Sequence, residues 1–253
     1  MAKPAVILVG ADKGGVGKTT VARTLLDYFG AHNVSLRAFD TESPRGTLKR
    51  FHPELTEVVD VTQVADQMKI FDTLGSDVNK VTIIDVRAGL LSPTLKALGE
   101  IGLLDSAKKG QITFVVFHIL GPSIASLEEI AETANTVGDA NYFLVKNFVN
   151  STTFFEWDPA TYNSYFKRIK GAAEISVPKL NEMAYEQVEV ASTPFVGFVA
   201  NKDARNENAN YSFVLRGYVR HWLGNVWGEY DRVNLMDLVA PQQAEGEARQ
   251  AAS

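Results

Sequence analysis

A glycine-rich segment near the N-terminus constrains the fold of this 253-residue chain more than any other feature: residues 10–20 read GADKGGVGKTT. The apolar residues 6–9 precede it, and residues 21–29 follow it with the apolar spacing of a helix. A strand, a glycine-rich turn and a helix in this order are the context in which a phosphate-binding loop works. The glycines let consecutive backbone N–H groups point at one anion, and the helix N-terminus adds its positive dipole end. We therefore predict a phosphate-binding loop, with an ordinary glycine-rich turn as the alternative.

The residues of this loop have separate predicted roles. Lys18 is placed to contact the β- and γ-phosphates of a nucleotide, and the Thr19 hydroxyl is placed to ligate Mg²⁺. The loop departs from the usual pattern at Asp12, where a glycine is common, and at Lys13, which adds a second lysine. The other predicted phosphate-binding residues, which act chiefly through backbone amides, are Gly14, Gly15, Val16, Gly17 and Thr20.

Residues 13–20, KGGVGKTT, resemble the deviant Walker A motif of the ParA/MinD family of ATPases. The resemblance implies that ATP and Mg²⁺ are the cofactors, although the loop alone does not distinguish ATP from GTP. It also implies that Lys13 reaches across a nucleotide-sandwiched homodimer to the partner's phosphates, with the physical logic of an arginine finger supplied in trans. The alternative for Lys13 is a solvated loop lysine.

Two carboxylates follow the second predicted strand, residues 34–40. Functional side chains collect at the carboxyl ends of parallel strands, so Asp40 and Glu42 are expected beside the phosphate site. The family carries Asp-x-Asp here, and its second Asp lies by the attacking water. The resemblance therefore assigns water orientation to Glu42, or less strongly to Asp40. Because Glu42 replaces the family's Asp, slow basal hydrolysis is expected. Alternatively, both are simply acids of a turn.

Residues 81–85, VTIID, form an apolar run that ends in an acid, which is a Walker B pattern. In such a pattern Asp85 supports Mg²⁺ by accepting hydrogen bonds from its water shell. Residues 86–89 resemble the Asp-x-Pro-Ala-Gly switch of the family, except that Arg87 stands in place of Pro. An apolar strand ending in Asp is common on its own, so a purely structural strand is the alternative.

Two later residues are candidates for the adenine site. Asn147 ends a predicted strand over residues 142–147, and an amide can pair with the donor and acceptor edge of adenine. The family often has an Asn at this strand end. It also places a backbone segment against the base where residues 175–179 form a late predicted strand that runs into a loop, which makes Pro178 a candidate. The alternative for Asn147 is a polar turn residue.

The remaining pattern predicts one three-layer α/β domain over residues 1–240, with a mostly parallel sheet flanked by helices and a disordered tail over 241–253. Further predicted strands are 58–61 and 112–117, and further predicted helices are 64–74, 122–135, 159–170 and 211–227.

The chain has no cysteine, which excludes disulfides, cysteine-ligated zinc and iron–sulfur clusters. No run of 18 apolar residues exists and the first apolar run is too short for a signal peptide, so a cytoplasmic protein is expected.

The surface offers less specific signals. A net charge of −5 argues against general attraction to nucleic acid, but aromatic residues accompany Lys167, Arg168 and Lys170, and Arg216 and Arg220 share a predicted helix. These groups could contact DNA or a protein partner; a solvated face over core aromatics is the alternative. The apolar cluster at residues 235–239 is too short and too weakly basic to resemble the membrane helix of MinD.

Together, the resemblance implies an ATPase that cycles between an ATP-bound dimer and a monomer. Relatives of this kind position plasmids, chromosomes or division machinery, with a protein partner that stimulates hydrolysis and, in some, nonspecific DNA. Two alternatives remain open. One is a nucleotide-gated binding module that hardly hydrolyses ATP, and the other is a small-molecule kinase or ligase on the same fold, similar to dethiobiotin synthetase.

Overall fold

The computed structural model of the protein describes residues 3–74, 80–121, 124–137, 141–148, 159–166 and 172–241. Several predicted features lie outside these ranges, namely Pro122 at the start of a helix, Lys167, Arg168, Lys170 and the tail after Pro241. Within these ranges no helix combines the length and the apolar character needed to cross a bilayer.

Seven parallel strands form one sheet in the part of the chain that the structure describes, in the order β3-β2-β4-β1-β5-β6-β7. In chain order they are β1 Ala5–Gly10, β2 Leu36–Asp40, β3 Thr56–Val58, β4 Val81–Asp85, β5 Thr113–Leu120, β6 Asn141–Asn147 and β7 Ala173–Val177. All the strands run in one direction, so their carboxyl ends, and the polar residues that follow them, lie along one edge of the sheet.

The helices cover both faces of this sheet. They are α1 Lys18–Ala31, α2 Thr47–Phe51, α3 Val64–Phe71, α4 Leu91–Glu100, α5 Leu103–Lys108, α6 Ile124–Val137, α7 Pro159–Phe166, α8 Glu182–Ala191, α9 Phe195–Val199, α10 Phe213–Arg232 and α11 Leu235–Val239. The central strand β1 is buried throughout: Ile7 and Val9 pack in the core that includes residues of α1 and α8–α11, whereas Val6 and Leu8 pack in the core that includes residues of α3–α6. This alternation is the period-2 pattern of a strand buried on both faces, and it confirms the predicted three-layer α/β fold.

Several predicted boundaries were wrong. Strand β3 covers Thr56–Val58 rather than 58–61, because its ladder pairs Ala38 with Thr56 and Asp40 with Val58. Val59 and Val61 are buried after that strand has ended, so their apolar character marks core packing rather than sheet pairing. Helix α3 ends at Phe71, three residues before the predicted end.

Two later elements are also shifted from their predicted positions. Helix α10 begins at Phe213, since the Ser212 side chain accepts a hydrogen bond from Leu215 N at 3.4 Å and caps it, and it continues to Arg232. Strand β7 covers Ala173–Val177, so it starts earlier than predicted and Pro178 lies in the loop that follows it. Both shifts leave the predicted order of elements intact.

Candidate functional site

A cavity of about 430 Å³ lies at the carboxyl edge of the sheet and brings most predicted site residues together. The predicted residues that line it are Gly15, Gly17, Lys18, Thr19, Thr20, Asp40, Glu42 and Asp85. Its lining also contains Val86, Arg87, Ala88 and Tyr185. Another cavity, of about 570 Å³, lies by the start of β5 and contains no predicted site residue. The first cavity is where ligands of parallel α/β sheets bind.

The glycine-rich loop has the geometry of an anion cradle. Gly15 and Gly17 have φ angles of 72° and 86°, in the left-handed region that favours glycine, and α1 begins directly after Gly17. The side chain of Val16 is buried between these two glycines and anchors the loop to the core. The loop backbone can therefore curl around a phosphate at the N-terminus of a 14-residue helix.

Lys18 is buried at the base of this cavity. Its Nζ donates to the Lys13 carbonyl oxygen at 3.1 Å, which holds the side chain back along the loop. Burial lowers the pKa of Lys18, while the nearby carboxylates of Asp85 and Glu42 act in the opposite direction. A bound polyphosphate would add negative charge beside the ammonium group, so nucleotide binding and the charged form of Lys18 favour each other.

Thr19 and Asp85 form an oxygen-rich pair that fits Mg²⁺. Thr19 Oγ1 donates to Asp85 Oδ2 at 2.7 Å, and Asp85 Oδ1 is buried without a hydrogen-bond partner among the described residues. Burial raises the pKa of Asp85 to about 7, with further upward contributions from the charges of Asp40 and Glu42. The described residues contain no cluster of three or more His, Cys, Asp or Glu side chains arranged for a metal. One hydroxyl and one carboxylate suit Mg²⁺, which keeps several waters and takes other ligands from phosphates.

Asp40 and Glu42 have different surroundings. Asp40 is buried, and its carboxylate accepts hydrogen bonds from the backbone N–H groups of Glu42 at 2.9 Å, Leu48 at 2.6 Å and Lys49 at 3.3 Å. Burial raises the pKa of Asp40, while these N–H donors act in the opposite direction. Asp40 thus organises the turn that leads into α2. Glu42 is exposed, lines the cavity and accepts a hydrogen bond from the Thr47 hydroxyl.

The same turn depends on Gly46. Its φ of 68° is left-handed, and a Cβ atom there would lie 2.5 Å from Val58 Cγ2 in the neighbouring strand β3. A larger residue at position 46 would push the turn away from the sheet and from the Asp40 carboxylate. The placement of Glu42 over the cavity therefore depends on a close contact between this turn and β3.

Asp12 connects the loop to the segment after β4, a role that sequence reasoning missed. Its carboxylate accepts hydrogen bonds from Leu91 N at 2.8 Å and from Ser92 Oγ at 2.7 Å, at the start of α4. Its carbonyl oxygen accepts from Gly89 N at 2.8 Å, and its own N–H donates to Glu129 Oε2 at 3.2 Å. The only sequence signal was the unusual acid at a position where glycine is common. Asp12 therefore holds Gly89 and the start of α4 against the glycine-rich loop.

Five predicted residues do not line the cavity, namely Lys13, Gly14, Val16, Asn147 and Pro178. Lys13 is exposed at the loop, with its alkyl chain beside Gly121, where a Cβ atom would lie 3.2 Å from Lys13 Cδ. Asn147 is buried, and its Nδ2 donates to the carbonyl oxygens of Val16 at 2.9 Å and Gly17 at 3.4 Å. The amide of Asn147 thus supports the loop from below, and base recognition by it remains a prediction.

Pro178 lines a separate opening of about 540 Å³ together with Phe148, Ser176, Lys179, Asn225 and Glu229. Its carbonyl oxygen accepts a hydrogen bond from Trp222 Nε1 at 2.6 Å, which fixes the end of β7 against α10. Its contact with a base also remains a prediction.

The two arginines of α10 do not share one environment. Arg216 is partly buried and donates through Nη1 to the Val199 carbonyl oxygen at 3.4 Å, so it helps to hold α9 against α10. Arg220 is exposed. Of these two residues, Arg220 is therefore the main contributor to a basic surface on α10.

No protein-family model matches the chain. No curated protein matches it either. Solved structures do: a ParA family ATPase from Chlorobium tepidum TLS has a TM-score of 0.54 and 12% identity, covering 88% of this chain and 98% of that one. The MinD cell division protein of Aquifex aeolicus has a TM-score of 0.51 and 12% identity, covering 87% and 97%. A McdA variant of Cyanothece in complex with ATP has a TM-score of 0.50 and 12% identity, covering 92% and 97%. The chain therefore shares its fold with the ParA and MinD ATPases.

Proposed function

We propose that the protein binds Mg-ATP in the 430 Å³ cavity, hydrolyses it slowly and acts as a nucleotide-dependent switch. The observation that carries the proposal is the convergence of the glycine-rich loop, Lys18, Thr19 and Asp85 on one cavity at the carboxyl edge of the sheet. The fold likeness to ATPases supports it, and so does the ATP bound to the McdA variant, a protein of similar fold.

The residues of the cavity have separate proposed roles in hydrolysis. The loop amides and Lys18 hold the β- and γ-phosphates and orient the γ-phosphorus. Thr19 and Asp85 would hold Mg²⁺, which when bound would screen the charge of the phosphates. Glu42 accepts a hydrogen bond from the attacking water and so aligns it. We assign Asp40 to the turn rather than to the water, because its carboxylate already accepts hydrogen bonds from three backbone N–H groups.

We propose that ATP binding leads two copies of the chain to form a dimer. Lys13 lies on the exposed surface of the loop, outside the cavity of its own subunit. A lysine in this position can reach the phosphates of a second copy when two cavities face each other. We therefore assign Lys13 to the partner's nucleotide, and we propose that the dimer recruits a protein partner that stimulates hydrolysis during intracellular positioning or partitioning.

Nonspecific DNA is a further proposed ligand of the dimer, through Arg220 and the basic residues Lys167 and Arg168. Phosphate contacts of this kind make affinity fall steeply with salt. Retardation of a random duplex by the Mg-ATP state at low salt, lost as salt increases, supports this ligand. Absence of retardation at low salt contradicts it.

A nucleotide-gated binding module with little hydrolysis is the second candidate. The hydrogen bond from the Thr47 hydroxyl to Glu42 favours it, since this contact competes with the water for the carboxylate. Phosphate release from Mg-ATP, measured over hours with an EDTA control, separates the two candidates. Slow Mg²⁺-dependent release supports the ATPase, whereas nucleotide binding without release supports the module.

A further inference from the structure

Arg87 is a charged residue of the cavity to which none of the roles proposed above is assigned. It lies in the segment that follows β4 and lines the cavity together with Lys18, Thr19 and Asp85. Its backbone is held firmly: Arg87 N donates to Thr41 Oγ1 at 2.7 Å, and its carbonyl oxygen accepts from Leu90 N at 3.1 Å. The point from which the side chain leaves the backbone is therefore fixed at the cavity wall.

The side chain of Arg87 has the properties of a group available to a ligand. It is exposed, and its guanidinium makes no hydrogen bond or ion pair with any residue of the described ranges. By contrast, Arg23 and Arg50 pair with Glu189, and Arg232 pairs with Glu229. An arginine that lines this cavity with no carboxylate partner among the described residues has its guanidinium donors available for an anion.

The described lining of the cavity contains few other cationic groups that could meet the negative charge of a triphosphate. Lys18 is the only other cationic side chain in the described lining, and it lies at the base of the loop, where its Nζ contacts the Lys13 carbonyl oxygen. In phosphoryl transfer, negative charge spreads over the three equatorial oxygens of the γ-phosphoryl group. A planar guanidinium can donate to two of these oxygens at once, which a single ammonium group cannot match in geometry.

We propose that Arg87 is a catalytic residue that donates to the γ-phosphoryl oxygens of ATP bound in the same subunit. This assignment rests on the proposed function of the cavity. The oxygen of water attacks the γ-phosphorus, the bond between that phosphorus and the bridging β–γ oxygen breaks, and its electron pair leaves with ADP. The water gives up a proton, so the products are ADP, inorganic phosphate and H⁺. Arg87 stabilises the charge on the transferring group and is not itself changed.

The test compares Arg87→Ala and Arg87→Lys with Arg205→Ala, which removes an exposed arginine outside the cavity lining. Two quantities are measured: the rate of phosphate release at saturating Mg-ATP, and the ratio of the affinities for Mg-AMPPNP and Mg-ADP. Arg87→Ala should lower the rate about a hundredfold, the cost typical of losing one donor to transition-state charge. It should also weaken Mg-AMPPNP about tenfold while changing Mg-ADP by less than about threefold, because only the former carries a γ-phosphate analogue.

Arg87→Lys should fall between Arg87→Ala and the wild type in both quantities, because it keeps the charge and loses the planar fork. Arg205→Ala should match the wild type. An Arg87→Ala protein that keeps both the wild-type rate and the wild-type affinity ratio overturns the assignment, and so does one that loses Mg-ADP and Mg-AMPPNP equally. If the wild type binds both nucleotides without turnover, the affinity ratio decides alone. A wild type that binds neither nucleotide contradicts the proposed function itself, and this result is visible before any variant is made.

Discussion

At the level of single residues, the carboxylates of Asp40 and Glu42 differ in what their oxygen atoms bind. Asp40 is only 1% exposed and accepts three backbone hydrogen bonds, whereas Glu42 is exposed and meets the Thr47 hydroxyl. A carboxylate that accepts several backbone N–H groups stabilises the turn. A carboxylate whose one described side-chain partner is a hydroxyl can exchange that partner for water.

Glu42→Gln should therefore keep the affinity for Mg-ATP and lower the rate of hydrolysis, because the amide removes a charged acceptor from the water and leaves the phosphate contacts alone. Asp40→Asn should instead loosen the turn and lower the free energy of unfolding by about 1–3 kcal/mol, since one oxygen that accepts N–H groups becomes a donor. Single-turnover hydrolysis and urea denaturation of both variants measure these effects. If Glu42→Gln hydrolyses ATP at the wild-type rate while Asp40→Asn binds ATP normally but does not hydrolyse it, then Asp40, and not Glu42, orients the attacking water.

At the level of elements, a buried charged cluster joins α1, α2, α8 and α9. Arg23 of α1 is 1% exposed and lies between the rings of Phe51, 3.4 Å from its centroid, and Phe195, 4.1 Å from its centroid. It pairs with Glu189 at 2.7 Å. The same helix α1 begins at the phosphate loop, and α2 follows the turn that carries Glu42, so this cluster links the two sides of the cavity.

The pH dependence of stability should report on two further members of that cluster. His52 Nε2 lies 3.8 Å from Asp27 Oδ1. Burial raises the pKa of Asp27 from 3.8 to about 7, although Arg23 acts in the opposite direction. Burial, with the charge of Arg23, lowers the pKa of His52 from 6.5 to about 3. Between pH 3.8 and 7 the unfolded chain loses the Asp27 proton that the folded chain keeps, so stability falls as pH rises.

His52 contributes with the opposite sign, because between pH 3 and 6.5 the unfolded chain binds a proton that the folded chain does not. The two contributions therefore offset each other in the wild type. Relative to the wild type, His52→Asn should lose stability as pH rises from 4 to 6.5, and Asp27→Asn should gain it. Urea denaturation at several pH values measures both. Variants whose stability stays parallel to that of the wild type across this range would show that neither group is held in the stated protonation state.

The strands in their chain order and the residues that meet at the cavity could be predicted because both depend on short stretches of sequence, whereas six of the described helices were not predicted, namely α2, α4, α5, α8, α9 and α11. The glycine loop, Lys18, Thr19 and the acid after β4 are each read from a few neighbouring residues. The roles of Asp12 and Arg23 could not be predicted, because each is set by partners distant in sequence: Asp12 by Ser92 and Arg23 by Glu189. The boundary of β3 was wrong for the same reason, since pairing with β2 decides where the strand ends.

At the level of the whole molecule, the proposed switch requires that two copies of the chain meet over bound nucleotide. Lys13→Ala should bind Mg-AMPPNP with nearly wild-type affinity, because Lys13 does not line the cavity of its own subunit. It should fail to dimerise, because the partner's phosphates lose a cationic contact. Light scattering with Mg-AMPPNP measures the mass, and Lys96→Ala, an exposed lysine of α4, is the matched control. A Lys13→Ala protein that dimerises as the wild type does would reduce Lys13 to a solvated loop residue.

Binding of Mg-ATP in the cavity at the glycine loop can be measured by calorimetric titration of Mg-AMPPNP into the wild type and Lys18→Ala. The wild type should bind one nucleotide per chain. Removing the ammonium group deletes a charge-assisted contact to the phosphates, so Lys18→Ala should weaken binding by about 2 kcal/mol, or roughly 30-fold. Circular dichroism establishes that the variant is folded. A wild type that produces no binding heat, or a folded Lys18→Ala protein with nearly native affinity, would contradict binding of Mg-ATP in this cavity.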